Sequence, residues 1–421
     1  MKKLTAMLLA MVMVISLVAC SSSSSSTSSS SEESSSQTET EQETAEAEET
    51  ETAGESTETA EEWEPVNTYK IGMNCWGASA YAMLAIANNE TYVIEAFGNE
   101  TDLLYDNFSI ETLMQDLENL IADGVDGLII WCPSSGMFER ISQMCEEAEV
   151  PFVLVEKLPT DDVYDTLQAN PYFVGAITPE NASLGAQAAE YALEQGYTTA
   201  ILTGSQEGDA SDGPRADAFV ETFEAGGGTI LANLHSDSAD DAVTQIQDAL
   251  AACGYDCDII YGVGSSFAAS ALTAIDNLQL DIPIVTSGIE QSSLEGLEDG
   301  SYKMVNGDYY VSAVFGTILL QNYLDGTPIT NEDGSKLWID DIQPFTVPME
   351  AIGLLQEFFL DQNCYTDDEL RQMSGLYNPD FGYDEFMDAM YSYSLEERLL
   401  ARYEEGAVTA EELEAAGISV N

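Results

Sequence analysis

Short apolar segments rich in β-branched residues alternate with amphipathic helical patterns from Tyr69 onward. This alternation is typical of a parallel sheet that is covered by helices on both faces. The candidate strands are Tyr69–Met73, Tyr92–Phe97, Gly127–Trp131, Pro151–Val155, Phe173–Ile177, Thr199–Thr203, Thr229–Leu234, Asp258–Val263, Pro283–Thr286 and Lys303–Asn306. The candidate helices are Ser79–Asn89, Ile110–Asp123, Met137–Ala148, Ala182–Gln195, Pro214–Ala225, Ala239–Ala252, Phe267–Asn277 and Val311–Tyr323. The pattern predicts an α/β fold.

The candidate strands are too many for one compact half of such a fold. They divide into two sets of about five near Thr178, so we expect two doubly wound, Rossmann-like lobes. Local signals agree with the helix boundaries. Asp212-Gly213-Pro214 places a capping carboxylate and a proline at a helix start, and Gly226-Gly227-Gly228 ends the same helix.

The N-terminus has the features of a secretory signal. Lys2 and Lys3 precede an apolar stretch, Leu4–Val18, that is short for a membrane-spanning helix. The run Leu17-Val18-Ala19-Cys20 resembles a bacterial lipobox, in which the cysteine is lipidated and the preceding peptide is removed. The alternative is an uncleaved membrane anchor with an incidental cysteine. We expect a lipid on Cys20 and a location on the extracytoplasmic face of the cell membrane.

The segment after Cys20 has the composition of a tether. Residues 21–36 are nearly all Ser, and residues 21–64 contain fourteen Glu and no Lys or Arg. Such a segment cannot bury apolar surface, so we expect it to remain disordered and extended. The formal net charge of the whole chain is −65, which disfavours binding to nucleic acid.

Cysteine and histidine usage argues against a zinc site, and we expect neither a metal nor a cofactor. The six cysteines after Cys20 permit disulfides in an exported protein, and Cys253 and Cys257 are close enough in sequence to pair. Buried thiols are the alternative, because several cysteines lie in apolar runs. There is no CxxC motif, and His235 is the only histidine.

Residues that follow the strands are candidates for a ligand site, because ligands of such sheets bind beyond the carboxyl ends of the strands. Aromatic rings with polar neighbours can enclose a sugar or a base ring. From these loops we predict that the ligand contacts Asn74, Trp76, Trp131, Ser134, Arg215, Ser265, Phe267 and Glu290.

Three of these residues have alternative interpretations. Trp131 continues an apolar strand and could be a core residue, whereas Trp76 lies in a Gly/Ser/Ala-rich loop that favours exposure in a cleft. Arg215 is the only Lys or Arg between Lys157 and Lys303, and it is unfavourably placed for the helix dipole in the first turn of a helix. It is either a solvated surface charge or a ligand contact with five hydrogen-bond donors.

The chain resembles the type 1 periplasmic binding proteins, which include ribose and galactose receptors and the sensor domains of the lactose-repressor group. The similarity covers about residues 69–345 and lies in the order and spacing of several segments. These segments are Leu117–Pro133 with its Gly-Val-Asp-Gly, Pro151–Glu156, Glu180–Glu190, Gly213–Phe219 and Phe267–Ile275.

The resemblance implies a small ligand, with a sugar as the leading candidate, that is bound between lobes joined by three strands and delivered to ABC permease subunits. It implies that Arg215 contacts the ligand and that a further polar contact falls near Asn306 or Asp308. Two acidic positions of sugar-binding members are replaced here by Gly264-Ser265 and by Ser287-Gly288-Ile289, unless Glu290 substitutes for one of them. A nucleoside or another non-sugar solute therefore stays open.

The resemblance also suggests domain boundaries. These are residues 1–19 as signal peptide, 20–66 as lipidated cysteine and tether, 67–177 with 290–328 as the N-terminal lobe, 178–289 with 329–345 as the C-terminal lobe, and 346–421 as an extension. The sequence pattern of the extension predicts helices at Met349–Leu360, Thr366–Met373, Tyr383–Tyr393, Leu395–Tyr403 and Ala410–Ala416. It is either an addition packed against a lobe, or a cap on the cleft or partner-docking surface.

Other functions fit the sequence less well. A ligand sensor of the same fold that acts through a membrane histidine kinase cannot be separated from a transport receptor. An enzyme built on His235, Ser236 and Asp237 is disfavoured, because adjacent residues cannot form a triad and no G-x-S-x-G motif occurs. A transcription regulator is disfavoured by the acidic, exported chain and the lack of a helix-turn-helix. We expect a monomeric, non-enzymatic binder.

Overall fold

A computed structural model describes residues 63–158, 163–207, 209, 211–236 and 238–420. The chain divides into Met1–Glu61, which lies outside these residues, and Glu62–Asn421, to which everything below refers. The predicted signal peptide, Cys20 and most of the tether thus lie outside the described residues. None of the described helices is long and apolar enough to cross a membrane.

The first lobe is built on a six-stranded parallel sheet. Its strands, in spatial order, are β11 (Leu337–Ile342), β5 (Phe173–Pro179), β4 (Phe152–Val155), β3 (Gly127–Ile130), β1 (Lys70–Cys75) and β2 (Glu100–Tyr105). The helices of this lobe are α1 (Tyr81–Ala96), α2 (Ile110–Ala122), α3 (Phe138–Ala148), α4 (Tyr164–Ala169) and α10 (Val311–Leu324). The strands β3 and β4 are buried throughout, as expected for a sheet covered on both faces.

The second lobe repeats this architecture. Its strands, in spatial order, are β12 (Phe345–Thr346), β10 (Tyr302–Gly307), β9 (Ile284–Ser287), β8 (Ile259–Gly262), β6 (Thr199–Gly204) and β7 (Thr229–His235). Only the short β12 pairs antiparallel among the described strands. The helices are α5 (Asn181–Glu194), α6 (Asp212–Ala225), α7 (Ala239–Ala252), α8 (Ser265–Leu278) and α9 (Gln291–Asp299). The prediction of two doubly wound lobes is confirmed.

Three connections join the lobes. The chain passes from β5 to α5 at Glu180, from β10 to α10 through Asp308–Tyr310, and from β11 to β12 at Gln343-Pro344. The predicted boundaries after residue 290 are therefore wrong. Residues 291–307 stay in the second lobe because β10 pairs with β9, and β11 returns to the first sheet because it pairs with the open edge of β5.

A helical extension follows β12, as predicted. It begins at Met349 and contains α11 (Ile352–Leu355), a π-helical turn (Gln356–Asp361), α12 (Asp367–Gln372), α13 (Tyr383–Ser392), α14 (Leu395–Glu404) and α15 (Ala410–Ala415). It packs against the first lobe, where Phe386 meets Phe315 of α10 with ring centroids 5.5 Å apart. Since α10 is buried almost all round between the first sheet and this extension, it is apolar on every face.

Two predictions from the sequence are wrong, one of a strand and one of a disordered residue. Of Tyr92–Phe97, the residues up to Ala96 are the last part of α1 and Phe97 is its C-cap, since the buried residues Val93, Ile94 and Phe97 continue the helical spacing of the preceding turns. Trp63, assigned to the tether, packs against Tyr377 of the extension with ring centroids 5.6 Å apart. Burial of this large ring orders the chain before β1.

The packing of α5 against α6 depends on one glycine. A Cβ atom on Gly185 would lie 1.8 Å from the backbone oxygen of Arg215, so the two helices can approach only because Gly185 has no side chain. This close approach sets the position of the first turn of α6, where Arg215 lies.

Candidate ligand-binding site

A cavity of about 360 Å³ lies between the two lobes. The loops that form it follow β1, β2, β3 and β4 in the first lobe and β6, β8, β9 and β10 in the second, all at the carboxyl ends of the strands. In both sheets the strand order reverses beside the first strand, which is the usual place for a ligand in such folds. The volume is within the range of small-molecule sites.

Aromatic rings form much of the cavity wall. Trp76 and Trp131 lie with ring centroids 5.7 Å apart, and Phe108 meets Trp76 edge-on at 6.1 Å. Phe267 at the start of α8 contributes from the second lobe. A flat apolar ligand face would therefore meet rings from both lobes.

Asn74 does not line the cavity but fixes the strand ends beneath it. Its side-chain amide donates to the backbone oxygen of Trp131 at 2.9 Å and to Asp106 at 2.6 Å, and its Oδ1 accepts from the backbone N–H of Trp131 at 3.1 Å. Burial raises the pKa of Asp106 to about 7. Asn74 thus supports Trp131 from behind.

Arg215 extends from the first turn of α6 into the cavity lining. Its Nε donates to Oδ1 of Asn181 at 2.9 Å, and its Nη1 lies 3.9 Å from Oδ1 of Asp212. The side chain is largely buried, so Arg215 is not the solvated surface charge that was its alternative. The Asn181 contact uses only Nε, which leaves other donors of the guanidinium for a ligand.

An ion pair crosses the cavity between the lobes. Nζ of Lys157, which follows β4, lies 3.3 Å from Oδ2 of Asp209, which follows β6. The same ammonium lies 5.2 Å from the ring centroid of Trp131, a cation–π contact. Burial opposes ionisation of Asp209, but Lys157 and the backbone N–H groups of Asp212 and Ser211 outweigh it and lower its pKa.

Two buried carboxyl groups, Glu156 and Asp308, also line the cavity. Burial, and secondly the charge of Asp308, raise the pKa of Glu156 to about 8. The Glu156 carboxylate accepts a hydrogen bond from the Ser312 hydroxyl. Burial raises the pKa of Asp308 as well, and its Oδ2 has no hydrogen-bond partner among the described residues. A ligand that donates a hydrogen bond would satisfy Oδ2 of Asp308.

The backbone is strained at several positions around the cavity. Phe108, Glu156, Tyr309 and Tyr310 all line it, and all have positive φ, between 52° and 65°. This left-handed conformation costs a residue with a Cβ atom roughly 1–2 kcal/mol. Such strain is characteristic of functional sites.

Six of the nine predicted ligand contacts line the cavity: Trp76, Trp131, Arg215, Ser265, Phe267 and Asp308. Asn74, Ser134 and Glu290 do not. Ser134 precedes the 3-10 turn Ser135–Met137. Glu290 begins α9, where its backbone N–H donates to the Ser293 hydroxyl at 2.9 Å, and burial raises its pKa to about 7.

Five further residues line the cavity but were not predicted from the sequence: Glu156, Lys157, Asp209, Tyr309 and Tyr310. The signal for Glu156 and Lys157 was available, since both directly follow the predicted strand that ends at Val155. Asp209 lies in a long polar loop and gave no distinct signal.

No group of three or more His, Cys, Asp or Glu side chains that could hold a metal is found among the described residues. The six described cysteines, including Cys253 and Cys257, are free. Nδ1 of His235 lies 3.1 Å from the backbone oxygen of Ser205, to which it can donate a hydrogen bond, and Ser236 is buried. Asp237, the third residue of the disfavoured triad, lies outside the described residues.

Two doubly wound lobes with a lined cavity between them define a class of two-lobed small-molecule binders. The family model for the periplasmic binding protein domain matches residues 78–328. The chain belongs to this family, and the resemblance seen in the sequence is confirmed.

Solved structures show the same fold. The periplasmic binding protein component of the arabinose ABC transporter from Shewanella sp. ANA-3, bound to alpha and beta-L-arabinofuranose, is 18% identical with a TM-score of 0.58, over 68% of this chain and 94% of that chain. A galactofuranose binding protein is 14% identical with a TM-score of 0.60, over 70% and 99%. A periplasmic ribose ABC transporter from Conexibacter woesei DSM 14684 is 18% identical with a TM-score of 0.57, over 69% and 95%. A search of curated proteins finds no match.

Proposed function

We propose that this protein is an extracytoplasmic receptor that binds a small polar solute between its lobes. The observation that carries the proposal is the cavity of about 360 Å³, which both lobes line with aromatic and charged side chains. A ligand there contacts both lobes, so it favours the closed arrangement over the open one. Binding is thereby converted into a change of shape that another protein can recognise.

A sugar is the leading candidate for the solute. The rings of Trp76, Trp131 and Phe267 offer apolar faces, while Arg215, Asp308 and Ser265 offer hydrogen-bond donors and acceptors. The structures that share the fold include binders of arabinofuranose, galactofuranose and myo-inositol. These ligands support a sugar or a related polyol, and a nucleoside or another non-sugar solute is the alternative.

The rest of the proposal concerns location and delivery. The lipobox-like run ending at Cys20 and the Ser/Glu-rich segment after it support a lipid anchor with a tether, and hence a protein held at the outer face of the membrane. We expect this protein to be a monomer. Delivery to an ABC permease fits the family. Radiolabelled palmitate should be incorporated into the expressed wild-type chain and not into the Cys20→Ala chain. Equal labelling of both would contradict the anchor.

Binding is tested on the purified protein without refolding. We expect L-arabinose, D-ribose, D-galactose or myo-inositol to raise its melting temperature, and mass spectrometry of the heat-released fraction to identify any solute that co-purifies. Tryptophan fluorescence should change on binding, because Trp76 and Trp131 line the cavity. Failure of these sugars, of nucleosides and of other small polar solutes to produce any shift would contradict the proposed function.

A further inference from the structure

A strained turn connects β10 to α10 at the edge of the cavity. We call Asp308–Tyr310 the cleft turn; it crosses from the second lobe to the first. Tyr309 and Tyr310 have φ of 52° and 59°, so two consecutive bulky residues adopt the left-handed conformation. A residue with a Cβ atom keeps this conformation only where its surroundings enforce it.

The conformation of the cleft turn presents a carboxylate to the cavity. Burial raises the pKa of the Asp308 carboxyl group, and the nearby backbone N–H groups of Tyr310 and Val311 oppose this shift, so the carboxyl group lies close to the turn. Its Oδ2 is buried and has no hydrogen-bond partner among the described residues. A change in the turn would therefore move a group that is positioned to accept a hydrogen bond from a ligand.

The extension contacts the cleft turn from the side away from the cavity. The Tyr393 hydroxyl, between α13 and α14, donates to the backbone oxygen of Asp308 at 2.8 Å, and this hydrogen bond is buried. The Phe359 ring meets the Tyr309 ring nearly perpendicularly, with centroids 5.9 Å apart. Neither Tyr393 nor Phe359 lines the cavity.

Tyr393 is itself held by the extension. Its ring stacks on that of Tyr365 with centroids 6.4 Å apart and an angle of 28° between the planes, and the Arg398 guanidinium lies 4.0 Å from the Tyr365 ring centroid. Arg398 in turn donates to Glu369 at 2.9 Å. The hydroxyl that binds the cleft turn thus belongs to a side chain with little freedom to move.

We propose that the extension holds the cleft turn in the conformation that presents Asp308 to the cavity, with Tyr393 and Phe359 as positioning residues that do not contact the ligand. The extension is then part of the binding site rather than a separate addition to the first lobe. Loss of the Tyr393 hydroxyl should loosen the cleft turn without unfolding the protein, because the tyrosine ring and its packing remain.

The first test uses the ligand-free full chain and does not depend on the proposed function. Hydrogen–deuterium exchange is measured for peptides that cover residues 306–312 in the wild type and in Tyr393→Phe. We expect exchange there to be about fivefold faster in the variant, as expected for the loss of one buried hydrogen bond. Exchange in the β3 and β4 peptides should not change.

Tyr391→Phe is the matched control. Tyr391 lies on α13, and its hydroxyl donates to Asp341 of β11 at 2.8 Å, away from the cleft turn. This variant also loses one hydroxyl, but exchange at residues 306–312 should stay at the wild-type rate. Unchanged exchange in Tyr393→Phe, or an equal increase in Tyr391→Phe, would overturn the proposal. If Tyr393→Phe does not fold, Phe359→Leu, which removes the ring against Tyr309 but keeps apolar volume, is subject to the same criterion.

The second test measures affinity and rests on the proposed function. With the sugar from the panel above that gives the largest thermal shift, Tyr393→Phe should bind about fivefold more weakly in calorimetry, and Tyr391→Phe as the wild type does. The melting temperatures of the Tyr393→Phe and Tyr391→Phe variants should be similar. Absence of binding by the wild type would contradict the proposed function alone, because the exchange result would still stand. Wild-type affinity in Tyr393→Phe would contradict the positioning role alone.

Discussion

Lys157 and Asp209 face each other from opposite lobes, with Nζ of the lysine 3.3 Å from Oδ2 of the aspartate. The lysine side chain is 7% exposed and the aspartate side chain 25%, so the pair is only partly screened by solvent. Opening of the lobes separates these charges. The pair therefore favours the closed arrangement even before a ligand is bound.

Replacement of this lysine should shift the balance between closed and open lobes. In Lys157→Met we expect the ratio of closed to open molecules to fall about fivefold, which corresponds to about 1 kcal/mol for a partly exposed ion pair. Distances between spin labels on the two lobes, or the radius of gyration in small-angle scattering, should increase on average. Lys70→Met is the matched control, because Lys70 pairs with Asp102 at 2.6 Å within the first lobe. Equal distance distributions in all three proteins would contradict the role of the Lys157 pair.

Removal of the cavity arginine should weaken ligand binding. We expect Arg215→Ala to lose about 10- to 100-fold in affinity, since a hydrogen bond to a charged group contributes about 1.5–3 kcal/mol. Asn181→Ala should lose less, because it removes only the acceptor that orients Nε of Arg215. Calorimetry with the sugar that shifts the melting temperature most is the measurement.

Arg140→Ala is the control for loss of an arginine. Arg140 is exposed in α3, where its Nη2 lies 3.5 Å from Glu118, and it does not line the cavity. Its removal should leave affinity unchanged. Wild-type affinity in Arg215→Ala would show that the guanidinium does not contact the ligand.

The alternation of strands and helices was sufficient to predict the lobes, but not every strand. Most strands are continuous apolar runs, so they can be recognised from the local sequence, and their alternation with helical segments predicts a parallel sheet. Tyr92–Phe97 was misassigned because a run rich in aromatic and β-branched residues is ambiguous over six positions. The edge strands β2 and β11 were missed because their partly exposed positions include aspartates, so their apolar pattern is weak.

The candidate site was predictable in position but only partly in composition. Aromatic residues after strands, such as Trp76 and Trp131, were found because the topology brings strand ends together. The Lys157–Asp209 pair joins residues from two lobes, and no local sequence pattern indicates that these two side chains lie close together. The left-handed conformation of Tyr309 and Tyr310 could not be predicted, since the residues that usually signal it are Gly and Asn.

Glu156 should make the protein less stable as the pH rises. Burial and the charge of Asp308 raise its pKa from 4.5 to about 8, while Arg215 and Lys157 oppose this shift. Between these two pH values the folded protein binds more protons at this group than the unfolded chain, so the free energy of unfolding falls with increasing pH. In Glu156→Gln this part of the decrease should disappear.

The measurement is guanidinium unfolding of wild type, Glu156→Gln and Glu118→Gln at several pH values between about 4.5 and about 8. Glu118 is exposed on α2, so its variant should follow the wild-type profile. A smaller slope should persist in Glu156→Gln, because Asp106 and Glu290 also have pKa values raised by burial to about 7. Identical slopes in wild type and Glu156→Gln would contradict the raised pKa of Glu156.

Gly185 should be intolerant of even the smallest side chain. In Gly185→Ala the new Cβ atom would meet the backbone oxygen of Arg215 at 1.8 Å, and neither helix backbone can yield without moving its neighbours. We expect the free energy of unfolding to fall by about 1–3 kcal/mol, the usual cost of overpacking. Because α6 would shift, the affinity for a ligand held by Arg215 should fall too.

Gly213→Ala separates this steric effect from the general effect of replacing a helical glycine. Gly213 lies in the first turn of α6, two residues before Arg215, and a Cβ atom there would have no neighbour within 4 Å. Since alanine favours the helix over glycine by about 1 kcal/mol at most, this variant should be as stable as the wild type or slightly more stable. The measurement is the free energy of unfolding of both variants in guanidinium. Equal stability of Gly185→Ala and Gly213→Ala would mean that the contact between α5 and α6 is loose enough to admit a methyl group, and that Arg215 is not positioned by it.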